Sequence, residues 1–241
     1  MVYAKFLMAV LGFCLLQSAA LGQDTRQVSE NTVVSLEKPR IAIGITKDIP
    51  YIGRHPIKIR DVAAGERLVF ADTDDGKIKR MLILQFEGFL PHVEDGQYRY
   101  NFSGRPEVAG YPFRSNAFSF DLEKTRAENP GNESASTAVF LEEQGLVPPK
   151  IWMMWRSLTA ELPDRRDELI IFYVETGAGH NMTMADIYDP VTDNSTDEWR
   201  QIMVGLERRA NASYALAPLS ADKTPVNDAW ETVPLLLSEN E

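Results

Sequence analysis

Apolar and polar residues alternate in short runs through most of the chain, which is the period of half-buried strands. IAIGI (41–45), IKIRD (57–61) and RLVFA (67–71) are β-rich and are separated by proline, glycine and charge. A turn centred on Asp75-Gly76 leads into KRMLILQFEGFL (79–90), the strongest strand signal in the sequence. A second turn, VEDGQ, precedes YRYNF, where Tyr98, Tyr100 and Phe102 alternate, and NAFSFDL repeats the alternation with Phe118 and Phe120. The pattern predicts an antiparallel meander.

The period then changes. Ser134 as an N-cap and Gly145 as a stop predict a short helix over about 134–145. Two apolar runs follow, KIWMMWRSL and DELIIFYVE, and the second reads as a central strand because both of its faces are apolar. Ser195 and Glu198 form a capping box, and Trp199, Ile202, Met203, Leu206, Ala210 and Tyr214 continue at helical spacing, which predicts a long helix over about 196–215. Residues from 217 to 241 have no clear period and read as a tail, with Trp230 and Leu235 to Leu237 as its docking residues if it docks. Strands outnumber helices and do not alternate with them. The class expected is therefore α+β: a curved or partly closed, mainly antiparallel sheet of about seven to eight strands, with the late helix on one face or open end.

The N-terminus has one lysine, an apolar run from Phe6 to Leu16 and small residues at Ala20 and Gly22, the layout of a secretory signal peptide over 1–22. A domain over 23–216 would follow, exported to a periplasm or the extracellular space. No apolar run reaches the roughly 20 residues needed to span a bilayer. The single cysteine, Cys14, lies inside the leader behind Phe13, so the mature chain has no thiol, disulfide or thiolate metal site. A disulfide-free exported chain of this size favours a bacterial source. The N-x-S/T motifs at Asn101, Asn132, Asn181, Asn194 and Asn211 point the other way, since a eukaryotic secretory pathway would read them as glycan acceptors. The net charge of -10, made more negative by loss of Lys5, argues against nucleic acid or anionic membrane as partner.

Two groups of residues carry candidate chemistry. In His180, Met182 and Met184, imidazole and thioether are ligands that suit Cu(I). A straight strand places all three on one face, yet separates the Cα atoms of His180 and Met184 by roughly 13 Å, so convergence on one ion needs a bend. Gly177 and Gly179 lie just upstream to supply it; otherwise the methionines fill gaps in a core. The second group is a polar stripe. Gln85 and Glu87 share one face of their strand, and Tyr173 and Glu175 share one face of theirs. If both faces point into a curved sheet, these four residues, with Tyr98 and Tyr100, line a ligand pocket; if not, they are the solvated side of a sheet.

No G-x-S-x-G, phosphate-binding loop, dinucleotide fingerprint or H-E-x-x-H occurs. Three classes remain. The favoured one is an exported, noncatalytic domain that binds a small molecule or protein and has no cofactor. The alternatives are a periplasmic Cu(I)-binding protein built on His180, Met182 and Met184, and a hydrolase or other enzyme built on Glu87, Glu175 or His180. The last requires two of these groups to reach one small molecule.

Overall fold

A computed structural model describes residues 25–177, 182–190, 192 and 194–237. Residues 1–24, Cys14 among them, and Gly179, His180 and Asn181 lie outside the described residues. The fold is α+β with antiparallel sheets, as the periodicity implies, but the strands divide between two main sheets instead of one that closes on itself.

The first sheet has the order β1 (Arg26–Ser29), β2 (Thr32–Ser35), β3 (Ile41–Ile45) and β12 (Tyr214–Pro218). The second runs β4 (Tyr51–Ile59), β5 (Ala63–Asp74), β6 (Lys77–Phe89), β11 (Asp167–Thr176), β10 (Ile151–Ala160) and β9 (Arg114–Asp121). Two short strands, β7 (Glu107–Val108) and β8 (Tyr111–Pro112), make a small hairpin. Among the described residues there are four helices: α1 (Leu122–Glu128), α2 (Glu133–Glu143), α3 (Met184–Ile187) and α4 (Asp197–Asn211).

The six-stranded sheet is the middle layer, which explains why its central strands are apolar on both faces. Leu68, Phe70, Leu82, Leu84, Phe86, Leu169 and Ile171 point to one side. There they join Val33, Ile41 and Ile43 of the four-stranded sheet and Trp199, Leu206 and Ala210 of α4. Val69, Met81, Ile83, Ile170, Phe172 and Val174 point to the other side and pack with Leu122 of α1 and Ala138, Phe140 and Leu141 of α2. Each such side chain taken from water contributes on the order of 2 kcal/mol.

Three local expectations are corrected. YRYNF is not a strand: residues 98–102 have no ladder partner and cross the sheet as an irregular segment, with Tyr98 buried and Arg99 exposed. The alternation is real, but it reports packing and not pairing. The late helix ends at Asn211 instead of about 215, because Tyr214 and Leu216 are buried as alternate residues of β12, paired with Ile45 and Ile43. Its cap is Thr196, whose hydroxyl accepts the Trp199 N–H at 3.1 Å, while Ser195 bridges to Tyr188. The stretch after Asn181 leads into α3 and not into a strand.

The residues after 217 are docked. Leu216 and Glu231 exchange backbone bonds of 2.7 and 2.8 Å, and Val233 enters the core. The fully buried Glu207 of α4 accepts the N–H groups of Leu236 and Leu237 at 2.6 and 2.9 Å. Trp230 lies over Gly44, where an added Cβ would meet the indole at 3.0 Å. Glu207→Ala should leave two N–H groups without their acceptor, lowering stability by about 2 kcal/mol. Limited proteolysis should then cut within residues 230–237 faster than in the parent; an unchanged cleavage rate would contradict this docking.

Candidate functional site

Register decides which of the candidate residues meet. Glu87 of β6 stands opposite Gly65 of β5 on one side and Glu168 of β11 on the other. One step along, Arg67, Gln85 and Ile170 form the next row. Both rows point to the α1 and α2 side. Tyr98 Oη donates to Glu87 Oε1 at 2.8 Å, and Gln85 Nε2 donates to Glu87 Oε2. Arg67 Nε donates to Gln85 Oε1 at 2.6 Å, and its Nη1 donates to the Glu133 carbonyl and the Thr137 hydroxyl, both at 2.8 Å. Thus four of the six stripe residues, Gln85, Glu87, Tyr98 and Tyr100, do come together, in an arrangement closed by bonds to one another and to α2.

Glu168, only 2 % exposed, lies against Glu87 and the Tyr100 hydroxyl. Burial, reinforced by the hydrogen bond and charge of Glu87, pushes the Glu168 carboxyl up to about 9. At neutral pH it therefore holds a proton, which removes the like-charge repulsion of two buried carboxylates on adjacent strands. Burial also holds the Tyr98 and Tyr100 hydroxyls well above the usual phenol range. It lowers Arg67 only to about 10, so the guanidinium stays charged over the Phe172 ring, 5.3 Å from its centroid. His55, lowered to about 4 mainly by burial, is neutral, with Nδ1 3.1 Å from the Pro56 carbonyl and Nε2 3.1 Å from Thr137 Oγ1.

The other two stripe residues are on the opposite face. Tyr173 pairs with Leu82, and Glu175 with Arg80, so both point toward α4. Tyr173 Oη donates to Glu175 Oε1 at 2.6 Å, and Arg209 of α4 grips the same carboxylate through Nε at 2.5 Å and Nη2 at 2.8 Å. This bidentate pair ties α4 to the central sheet. Glu87 and Glu175 thus lie on opposite sides of one sheet and cannot reach a single small molecule, which corrects the six-residue pocket and removes that pairing from the enzymatic reading.

Of the sulfur ligands, Met182 is buried in the larger core and Met184 opens α3 at the edge of that core. His180 lies outside the described residues. Both thioethers serve as packing groups in the described structure.

Arg67, Glu168, His55 and Thr137 were not singled out from the sequence. Glu168 had a signal: its parity with Ile170, Phe172 and Val174 placed it on the inward face. Its pairing with Glu87 spans 81 positions of sequence and has no local signature.

Outside this closed cluster, a cleft of about 590 Å³ lies where the end of β9 and α1 face α3. Ser119, Phe120, Asp121, Glu128, Tyr188 and Asp189 are among its lining residues. Ser119 is 7 % exposed, and its hydroxyl has no hydrogen-bond partner in the described structure. Such a group is costly unless something completes it. Compared with protein-family models, with curated proteins and with solved structures, the chain matches none.

The acid pair generates a pH prediction. Because the Glu168 pKa is raised on folding, the native state binds the extra proton, and stability falls as pH rises from about the ordinary carboxylate range toward 9. The melting temperature should drop by several degrees between pH 6 and pH 9. Glu168→Gln, which keeps a neutral side chain of the same shape, should flatten that profile. A variant with the parent's slope would rule out Glu168 as the titrating group.

Proposed function

We propose that this chain is an exported, noncatalytic binding domain, and that its binding surface is the cleft between β9, α1 and α3. The observation that carries the reading is the pairing of an open concavity with a buried, unpartnered hydroxyl, that of Ser119. Ligand sites combine a concave shape with a few convergent polar groups, and this cleft adds the aromatic faces of Phe120 and Tyr188. Support also comes from what the other candidates do. Glu87 and Glu175 have their oxygens engaged by tyrosine, glutamine and arginine within the fold, as parts of its bracing. The acidic balance of the chain favours a partner that is not itself strongly anionic.

The test is native mass spectrometry of the protein purified from the compartment to which its own leader sends it. Ala185 is exposed on α3 at the rim of the cleft, so a large side chain there should fill the cleft and leave the core packing intact. The parent should retain a noncovalent mass that Ala185→Trp loses while keeping the parent's melting temperature. A retained mass indifferent to Ala185→Trp would contradict this location.

A further inference from the structure

The nature of the partner follows from the strand that forms one wall of the cleft. β9 is an edge strand: among the described strands it pairs with β10 alone. A regular edge offers a row of backbone N–H and C=O groups to any extended chain, and folds normally blunt such edges. The opposite edge of the same sheet is blunted within the strand itself: β4 contains Pro56, an exposed Lys58 and a register break between Tyr51 and Gly53. In the four-stranded sheet, β1 is four residues long and β12 is bridged by Glu231. β9 has eight residues, RSNAFSFD, with no proline, no lysine and no break in its register with β10.

The phase of its ladder is fixed by two bonds. Leu122 N–H donates to the Lys150 carbonyl at 2.8 Å, toward β10, and Phe113 N–H donates to the Pro106 carbonyl at 3.0 Å, away from it. Alternation then turns the backbone groups of Ser115, Ala117 and Ser119 outward. The Ser119 N–H reaches Tyr188 Oη at 3.5 Å, the long limit of a hydrogen bond. The N–H groups of Ser115 and Ala117 have no partner among the described residues.

We infer that β9 takes an extended peptide segment as the next strand of the six-stranded sheet, with a basic side chain of that segment lying in the cleft between Asp121 and Asp189. Main-chain bonds supply the affinity in this mode, and side-chain pockets supply the choice of partner. The basic character follows from the charge of the cleft: among its described lining residues Asp121, Glu128 and Asp189 are acidic and Lys124, 4.0 Å from Glu128, is the cation. A second copy of this chain is the weaker fit, because it brings its own net charge of -10 to an acidic groove. The inference rests on the binding reading above and specifies the partner's chemistry.

The experiment uses two pools of end-blocked decapeptides, randomised except for a central lysine in one and a central glutamate in the other. They are added to the 15N-labelled protein and followed by NMR. The lysine pool should shift the amides of Ser115, Ala117 and Ser119 and slow their hydrogen exchange. The glutamate pool should act about tenfold more weakly. N-methylation of alternate residues in a peptide isolated from the lysine pool should abolish the effect, since it removes the donors that pair with β9. Ala117→Pro should do the same from the protein side; because its N–H points away from β10, the ladder stays intact.

Equal response to both pools, or binding that survives N-methylation, would overturn the inference. So would amide protection that grows with protein concentration in the absence of peptide, which would assign the edge to a second copy. If neither pool touches these amides while Ala185→Trp still strips a retained mass, the peptide inference falls and the binding reading stands. If the retained mass ignores Ala185→Trp, the binding reading falls at its own test.

Discussion

The structure depends on a central sheet that is covered on both faces. β6 and β11 are paired along nine consecutive residues, from Arg80 opposite Glu175 to Gly88 opposite Asp167, and nearly every side chain between is buried. Once a sheet is sealed on two sides, any polar group placed on it must find its partner inside the protein or raise the energy of the fold. On one face the Glu87 and Glu168 cluster lowers that energy by holding a proton on Glu168 beside Glu87, although Glu168 Oε2 has no hydrogen-bond partner among the described residues. The Glu175, Tyr173 and Arg209 cluster meets the demand on the other by recruiting a guanidinium from α4. Both read as reactive sites when the residues are considered alone, and as bracing when their partners are counted.

The same constraint explains where binding is proposed. With both faces occupied, a sheet has only its edges left, and three of the four main-sheet edges are short, broken by proline or bridged by the C-terminal segment. β9 differs in having, among the described residues, N–H groups without a partner at Ser115 and Ala117, and at its far end a concavity with the buried Ser119 hydroxyl, which has no partner there. Side-chain chemistry plays the smaller part in this proposal and backbone geometry the larger.

Much of the fold was legible in the sequence because it depends on local period. The α+β class, the strands around Ile41, Leu82 and Ile170, and the helices near 134 and 197 all follow from alternation or from a 3.6-residue repeat. The site was less legible, and the reason is register. Parity correctly placed Gln85 with Glu87, and Tyr173 with Glu175, but it carries no information on how two strands align. The face shared by Glu87 and Glu168 is fixed only when β6 meets β11. Tyr214 was assigned to a helix because it continues the Leu206 and Ala210 stripe; pairing with Ile45 in β3 overrode that period. Likewise, nothing within RSNAFSFD states that it is an edge, although its lack of lysine and proline is what leaves the edge open.

The central claim is that the interior of the sheet is closed and the β9 edge is open, and native-state hydrogen exchange of the protein alone tests it most directly. Amides of β6 and β11 should exchange only through global unfolding, the amides of Asn116 and Phe118 that face β10 should be well protected, and those of Ser115 and Ala117 should exchange at rates near those of an unstructured chain. Protection of Ser115 and Ala117 equal to that of Asn116 and Phe118 would mean that the edge is already covered, and would contradict the claim.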